Sequence, residues 1–276
     1  MTTIPARYAV FGNPIHHSKS PILHNAFAEQ TGESILYTAE LVDIDAFSTA
    51  ADQFFSNGGL GLNITVPFKI DAFRYADTLS DRAQKAGAVN TLIKKENMVI
   101  GDNTDGAGFI DDVTHNLQWV LKNKNILILG AGGAVRGILD PLLQTEPNKV
   151  VIANRTVAKA QHLIDNTETI TNCLLSACHY DDVNEGFDII INGTSASLHG
   201  DLPVLSNTVI STESCCYDMM YGVQPTVFMQ WATQCGARDV ADGLGMLACQ
   251  GAESFYQWRG IKPSTQSVIK QLRLLL

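Results

Sequence analysis

Several stretches of this chain concentrate side chains able to do chemistry or to hold a charged ligand. They are Asn13-Pro14-Ile15-His16-His17-Ser18-Lys19-Ser20-Pro21, Asn63-Ile64-Thr65-Val66-Pro67-Phe68-Lys69 and Gly101-Asp102-Asn103-Thr104-Asp105-Gly106. Each falls where a strand or turn hands over to a helix. Such positions present hydroxyls, amides and N–H groups to a ligand. Singly, each reads as a turn or helix cap. Together they point to a pocket for a small polyhydroxylated anion.

A further stretch, Gly130-Ala131-Gly132-Gly133-Ala134, follows the apolar run Asn125–Leu129 and opens a helical stretch to Leu143. Strand, glycine turn, helix, strand is the layout of a dinucleotide site. The glycines let a pyrophosphate approach the backbone, and the helix N-terminus supplies free N–H groups and a partial positive charge. The full Gly-x-Gly-x-x-Gly pattern is not met, because Val135 holds the third position. Asn154-Arg155-Thr156 begins 24 residues after Gly130, where NAD enzymes place an acid for the ribose hydroxyl. An acid there would repel a 2′-phosphate, whereas a guanidinium grips one. Arg155 with Lys159 one turn on therefore predicts NADP over NAD. The alternative is that both are solvated surface charges.

The elements that must position these residues alternate along the chain. Strands are expected at Tyr8–Phe11, Ile35–Leu41, Gly61–Val66, Thr91–Lys95, Met98–Ile100, Asn125–Leu129, Lys149–Ala153 and Asp188–Asn192. Weaker candidates are Cys215–Asp218 and Asp239–Ala241. Helices are expected at Pro21–Gln30 with Ser20 as cap, Ile44–Phe55 with Asp43 as cap, and Asp105–Trp119. Others follow at Val157–Ile164, Thr226–Cys235, Leu244–Trp258 and Pro263–Leu274. This alternation predicts an α/β fold with parallel sheets and helices on both faces.

Composition bounds the class. The 276 residues are 45% hydrophobic and 17% charged, enough apolar material for a core and unlike a disordered chain. Nineteen Lys and Arg against 28 Asp and Glu leave a net charge of -9, which argues against nucleic-acid binding. No apolar stretch reaches the roughly 18 residues of a membrane span. The run after Arg7 is too short for a secretory signal. Six cysteines without paired Cys-x-x-Cys spacing predict no metal site and reduced thiols in a cytoplasmic protein. His115, His162, His179 and His199 lack ligand spacing. Trp119, Trp231 and Trp258 read as core or interface.

These motifs, with Gly87-Ala88-Val89-Asn90-Thr91, Asn154-Arg155-Thr156, Asn192-Gly193-Thr194-Ser195, Tyr217–Tyr221 and Asp242–Met246, resemble those of the shikimate dehydrogenase family, in order from about Tyr8 to Trp258. The resemblance implies reduction of 3-dehydroshikimate to shikimate with NADPH, a step toward chorismate and the aromatic amino acids. It implies two α/β domains with a cleft between them. One is a substrate domain over 1–104 completed by C-terminal helices 244–276, the other a Rossmann-like NADP domain over 105–243. By motif, Lys69 and Asp105 would be the catalytic pair. Ser18 and Ser20 would bind the substrate carboxylate. Thr65, Asn90, Asp105, Tyr221 and Gln250 would face the ring and its hydroxyls. Gly130, Ala131, Gly132, Gly133 and Ala134 would cradle the pyrophosphate, and Asn154, Arg155, Thr156 and Lys159 the adenosine end. Met219 and Gly243 would lie near the nicotinamide. Asp81 is credited with a cofactor role on the resemblance alone. Of the two adjacent histidines only His17 matches the motif, and His16 reads as a loop residue.

Hydride reaching a ketone carbon leaves negative charge on oxygen, which a protonated Lys can stabilise and protonate. The reverse reaction needs a neutral Lys and is expected to quicken at alkaline pH. The chain departs from the family pattern at Lys159 in place of Arg, at Ser197 in place of Gly and at the bulkier Val135. Alternatives are a quinate/shikimate dehydrogenase paralogue with NAD use, and a non-catalytic binder of NADP and shikimate. A methylene-tetrahydrofolate dehydrogenase would leave the serine pair without a role. The expected partner is the small substrate alone, with no nucleic acid or membrane; the assembly state stays open and allows a homodimer.

Overall fold

The short apolar runs rich in β-branched residues become strands, and the amphipathic stretches between them become helices. The computed structural model describes residues 4–276 except 168, 170, 171, 195, 197–199, 203 and 204. Ser195, Ser197 and His199 lie outside the described residues. The chain forms two units. One comprises the residues up to Gly108 with Leu247–Leu275, the other Phe109–Met246 with Leu276.

The first unit holds β1 (Ala6–Gly12), α1 (Ser20–Thr31), β2 (Ile35–Leu41), α2 (Phe47–Ser56), β3 (Gly59–Ile64), α3 (Lys69–Tyr75), β4 (Thr78–Leu79), α4 (Asp81–Ala86), β5 (Thr91–Lys95) and β6 (Met98–Asp102). Its sheet runs β2-β1-β3-β5-β6-β4. The expectation of parallel sheets fails here. β1 pairs parallel with β2 and β3, but β5 is antiparallel to both β3 and β6. The tight turn at Glu96-Asn97, with Glu96 at φ 51°, reverses the chain directly, whereas a parallel neighbour would need a crossover. Phe11, Phe54, Leu62 and Phe68 are buried on one face, and Tyr8, Val10 and Tyr37 on the other beside Trp258.

Three helix starts differ from the sequence reading, the last helix beginning at Gln266 rather than Pro263. Lys19, not Ser20, precedes α1, and Ser20 sits buried inside its first turn. Ser18 Oγ accepts the Ser20 N–H at 3.3 Å, so Ser18 satisfies that end. The second helix begins at Phe47, because Ala46 N–H first closes a turn onto Asp43 O at 3.0 Å. The short helices α3 and α4 and the strand β4 are not among the expected elements. Ser80 caps α4 by accepting the Ala83 N–H at 3.2 Å.

The second unit holds β7 (Asn125–Leu129), α6 (Gly133–Leu143), β8 (Lys149–Ala153), α7 (Val157–Asp165), β9 (Leu174–Cys178), β10 (Ile189–Asn192), β11 (Cys215–Asp218), α8 (Val227–Gln234) and β12 (Asp239–Asp242). Its sheet, β12-β11-β10-β7-β8-β9, is parallel throughout. The order reverses between β7 and β10, the switch point of a doubly wound fold. Ile126, Ile128, Val150 and Ile152 enter one core, and Leu127, Leu129, Val151 and Ala153 the other. Burial on both faces is why these strands read as unbroken apolar runs. The edge strand β9 is a further element outside the sequence expectation.

The stretch expected as one helix over Asp105–Trp119 is α5 (Asp105–Asp111) followed by a π turn at Asp112–Asn116. Asp112 turns inward there. Tyr217 Oη donates to its Oδ2 at 2.7 Å and Asn116 Nδ2 to its Oδ1 at 2.9 Å. Burial pushes the Asp112 carboxyl above the ordinary carboxylate range. The chain closes with α9 (Leu244–Arg259) and α10 (Gln266–Leu274). Among the described residues, no helix is long and apolar enough to cross a membrane.

Candidate active site

Four segments of the first unit bring polar side chains together. β3 leads through Thr65 and Pro67 into α3, whose first residue is Lys69. Fully buried Phe68 anchors this entry. Asn90 precedes β5, and Thr104 and Asp105 follow β6. Gln250 and Ser254 come from α9. Lys69 Nζ donates to Asp105 Oδ2 at 2.5 Å, with the Lys side chain 32% exposed and the Asp 12%. Asn90 Nδ2 lies 2.8 Å from Asp105 Oδ1, 3.0 Å from Thr104 Oγ1 and 3.3 Å from Gln250 Oε1. The Thr104 N–H donates to Asn90 Oδ1 at 2.8 Å. Asp105 is thus oriented through both oxygens, one toward an amide and one toward a cation that remains partly open to solvent. That arrangement can hold a proton donor at a fixed place while leaving it accessible.

A second layer supports it. Tyr37 Oη donates to Asn63 Oδ1 at 2.7 Å, and Asn63 Nδ2 donates to Ser254 Oγ at 3.0 Å. Ser254 Oγ lies 2.8 Å from Thr91 Oγ1. Sequence reasoning gave no site role to Tyr37, Thr91 or Ser254; Thr91 closes the Gly87–Thr91 motif, while Tyr37 and Ser254 show nothing locally but their type. Ser18 and Ser20 are joined to each other. With Thr65, they make no hydrogen bond to the Lys69–Asp105 cluster among the described residues. Tyr221 belongs to the second unit, where burial and the nearby Asp242 raise its phenol above the usual range. His16 and His17 are exposed.

In the second unit the candidate cofactor residues cluster at the carboxyl ends of the strands. The Gly130–Ala134 turn follows β7, Asn154–Thr156 follows β8, Met219 follows β11 and Gly243 follows β12. Gly130 stands at φ +99°, a left-handed conformation that suits glycine. Val135, at the third motif position, is fully buried. A Cβ on Gly193 would come within 2.3 Å of its Cγ2, so the space a third motif glycine would leave is found at Gly193 instead. A pocket of about 550 Å³ opens beside the turn, lined by Ala131, Gly132 and Gly133, by Arg136 of α6, and by Ala158, Lys159 and His162 of α7. Arg136 and His162 were not singled out for this site by sequence reasoning. Arg155 is exposed and lies near Tyr180, and it is not in that lining. Asp81 is an exposed residue of α4 in the first unit, while the glycine turn belongs to the second.

The residues fit a dinucleotide phosphate. Gly132, at the α6 N-cap, offers no side-chain acceptor, so among the described residues no side chain caps the first amides of the helix, which suit an anion. Space beyond Gly132 and Gly133 is open, and the pocket carries Arg136 and Lys159 with no carboxylate in its lining. Among the described residues no group of three or more His, Cys, Asp or Glu is placed to hold a metal ion.

Comparison with known proteins gives a consistent assignment. Residues 10–92 match the family model for the shikimate dehydrogenase substrate binding domain. Residues 112–209 match that of shikimate / quinate 5-dehydrogenase, and 243–273 that of the shikimate 5'-dehydrogenase C-terminal domain. The chain is 57% identical to the shikimate dehydrogenase (NADP(+)) of Cellvibrio japonicus, over 96% of both chains. Among solved structures, an Ael1 enzyme from Pseudomonas putida is 44% identical with a TM-score of 0.92, covering 97% of this chain and 98% of that one. The shikimate 5-dehydrogenase of Thermus thermophilus, in complex with NADP(H) and shikimate, is 31% identical with a TM-score of 0.87, covering 98% and 100%. The chain belongs to the shikimate dehydrogenase family.

Proposed function

We propose that the protein catalyses the reversible NADPH-dependent reduction of 3-dehydroshikimate to shikimate, with Lys69 and Asp105 as its reacting pair. The observation that carries the reading is the 2.5 Å Lys69–Asp105 contact, with Asn90 on the second carboxylate oxygen. The protein is an oxidoreductase acting on a CH–OH group, and its cofactor is NADP.

When bound, the nicotinamide would supply the hydride for the new C–H bond at the ketone carbon. The developing alkoxide takes a proton from Lys69 Nζ, so carbonyl, hydride and proton together make the secondary alcohol. The ammonium also stabilises the charge before transfer is complete. Asp105 holds the ammonium and accepts a hydrogen bond from a neighbouring substrate hydroxyl. Asn90, Gln250 and Thr65 bond the remaining ring hydroxyls, and Tyr221 also faces the substrate. Ser18 and Ser20 take the carboxylate. On the cofactor side, the Gly130–Ala134 turn holds the pyrophosphate. Asn154, Arg155, Thr156, Lys159 and the newly found Arg136 serve the adenosine and its 2′-phosphate, with Met219 and Gly243 by the nicotinamide. The cysteines, none of them in a disulfide and Cys215, Cys216 and Cys249 buried, support a cytoplasmic location.

The test is a matrix of shikimate and quinate against NADP and NAD, followed by reduced-cofactor absorbance. Rapid turnover in the shikimate–NADP pairing alone is the expected result. Comparable turnover with quinate or NAD assigns the broader paralogue. Folded protein that binds NADP yet turns over none of the four pairings overturns the catalytic reading.

A further inference from the structure

We propose that Arg82 is a positioning residue for the reaction: through Asp102 and Asn103 it sets the orientation of Asp105, and through Glu253 it sets the helix that carries Gln250. The kinetic part of this inference rests on the function proposed above. The structural part does not.

Arg82 is the second residue of α4, and its guanidinium bonds two carboxylates, those of Asp102 and Glu253. Its Nε donates to Asp102 Oδ1 at 2.7 Å, and its Nη2 bonds Asp102 Oδ2 and also Glu253 Oε1 at 3.0 Å. The Arg–Asp102 contact is bidentate, the geometry that fixes direction as well as distance. Asp102 is 3% exposed and ends β6. Burial alone would raise its carboxyl, but the bonds from Arg82, Ser80 and the Asn103 amide outweigh that and hold it below the usual range. It therefore stays an anion and a fixed post inside the unit.

From that post the chain of bonds runs to the reacting pair. Asp102 Oδ1 accepts the Asn103 N–H at 2.8 Å. Asn103, also 3% exposed, is pinned by Nδ2 donating to Ala88 O at 3.0 Å. Its Oδ1 accepts the Asp105 N–H at 3.1 Å. The first amide of α5 is thereby held, and with it the direction in which the Asp105 side chain leaves the backbone. The Asn90 N–H meanwhile donates to Asp102 O at 3.1 Å, so the other partner of Asp105 is set from the same residue.

The second branch acts on α9. Glu253 Oε1 accepts from Arg82 and also from Gln257 Nε2 at 3.0 Å. Gln250 lies three residues before Glu253 and Ser254 one after, so the turn of α9 that meets Asn90 and Thr104 is clamped to the same guanidinium. Among the described residues Arg82, Asp102, Asn103 and Glu253 make no hydrogen bond to Lys69. The effect of this network on chemistry must pass through geometry, and small misplacements of reacting groups cost rate steeply.

The test uses the full-length protein with Arg82→Lys, which keeps the charge and loses the fork, Arg82→Gln, and Asn103→Ala, which cuts the relay beyond an intact Arg82–Asp102 pair. The readouts are kcat and KM for shikimate, the pH profile of kcat, amide hydrogen exchange over residues 102–108, and NADP affinity. In Arg82→Gln, kcat is expected to fall roughly 10- to 100-fold, with a shifted pH profile, faster exchange over 102–108 and unchanged NADP affinity by titration. Arg82→Lys should recover part of the rate. Asn103→Ala should reproduce the kinetic signature, and combining it with Arg82→Gln should add little. Unchanged kcat, profile and exchange in folded Arg82→Gln overturn the proposal. If Arg82→Gln does not fold, Asn103→Ala decides alone, and normal exchange and rate there overturn it equally. Should the wild type fail to turn over shikimate, the functional reading falls, while the exchange measurement still decides whether Arg82 holds this turn.

Discussion

Lys69 is a surface-edge cation made directional by a neighbour that is mostly buried. Its partner Asp105 is held on the far oxygen by Asn90, so the pair has one arrangement rather than many. Lys69→Ala removes the proposed proton donor and leaves the rest of the cluster in place. Turnover should drop by about 10²–10⁴-fold, the usual worth of a positioned acid–base group. NADP affinity, read by fluorescence titration, should hold. Near-normal turnover would show that Lys69 is not the acid. At the same scale, Arg155→Ala should weaken NADP far more than NAD, because only NADP carries the 2′-phosphate. Equal weakening of both, measured by competitive titration, would remove Arg155 from that role and leave Arg136 and Lys159, which line the pocket.

Among the elements, the β7–α6 turn is the most constrained. Gly130 has φ +99°, and a Cβ there would meet Thr194 Cγ2 at 2.9 Å. Gly130→Ala must therefore adopt a strained backbone or move the chain, at a cost of order 1–3 kcal/mol. The expected result is NADP binding weaker by roughly 10-fold or more, since the amides proposed to meet the pyrophosphate shift with the turn. Shikimate-side geometry in the other unit should be untouched. Unaltered NADP affinity in a folded Gly130→Ala protein would mean that the turn does not set the phosphate contact.

For the molecule as a whole, one contribution to acid stability comes from a buried histidine of α1. His24 is fully buried against Tyr37, with rings 4.2 Å apart and nearly parallel, and neither ring nitrogen has a hydrogen-bond partner among the described residues. Burial drives its pKa down to about 3. The folded protein thus keeps it neutral, while the unfolded chain protonates near pH 6.5. Its contribution is fully present above that pH and is lost progressively as pH falls from 6.5 toward about 3. Between pH 7 and pH 5 the loss amounts to about 2 kcal/mol. His24→Phe keeps the stacked ring and removes the proton site. Urea unfolding at the two pH values should show a smaller acid penalty by about that amount. The same penalty in the variant would show that His24 is not its source.

Much of this was open to reading from the chain alone, because the signals were local. The apolar run Asn125–Leu129, the glycines after it and Asn154-Arg155-Thr156 report a strand, a turn and a second strand end within a few residues of one another. Gly-x-Gly chemistry needs only that spacing. The family motifs likewise lie in short contiguous stretches, and they named Lys69, Asn90, Asp105 and Gln250. What only the tertiary structure decided is what depends on distant pairing. Asn90 meets Gln250 across 160 residues, and Arg82 meets Glu253 across 171. No periodicity records such contacts. The short helices α3 and α4 span too few turns to show a repeat, and their existence follows from docking against the sheet. The antiparallel course of β5, the inward turn of Asp112 and the pocket place of Arg136 have the same origin. Side-chain type and local spacing specify elements and candidate chemistry; the order in which strands pair specifies which candidates share a site.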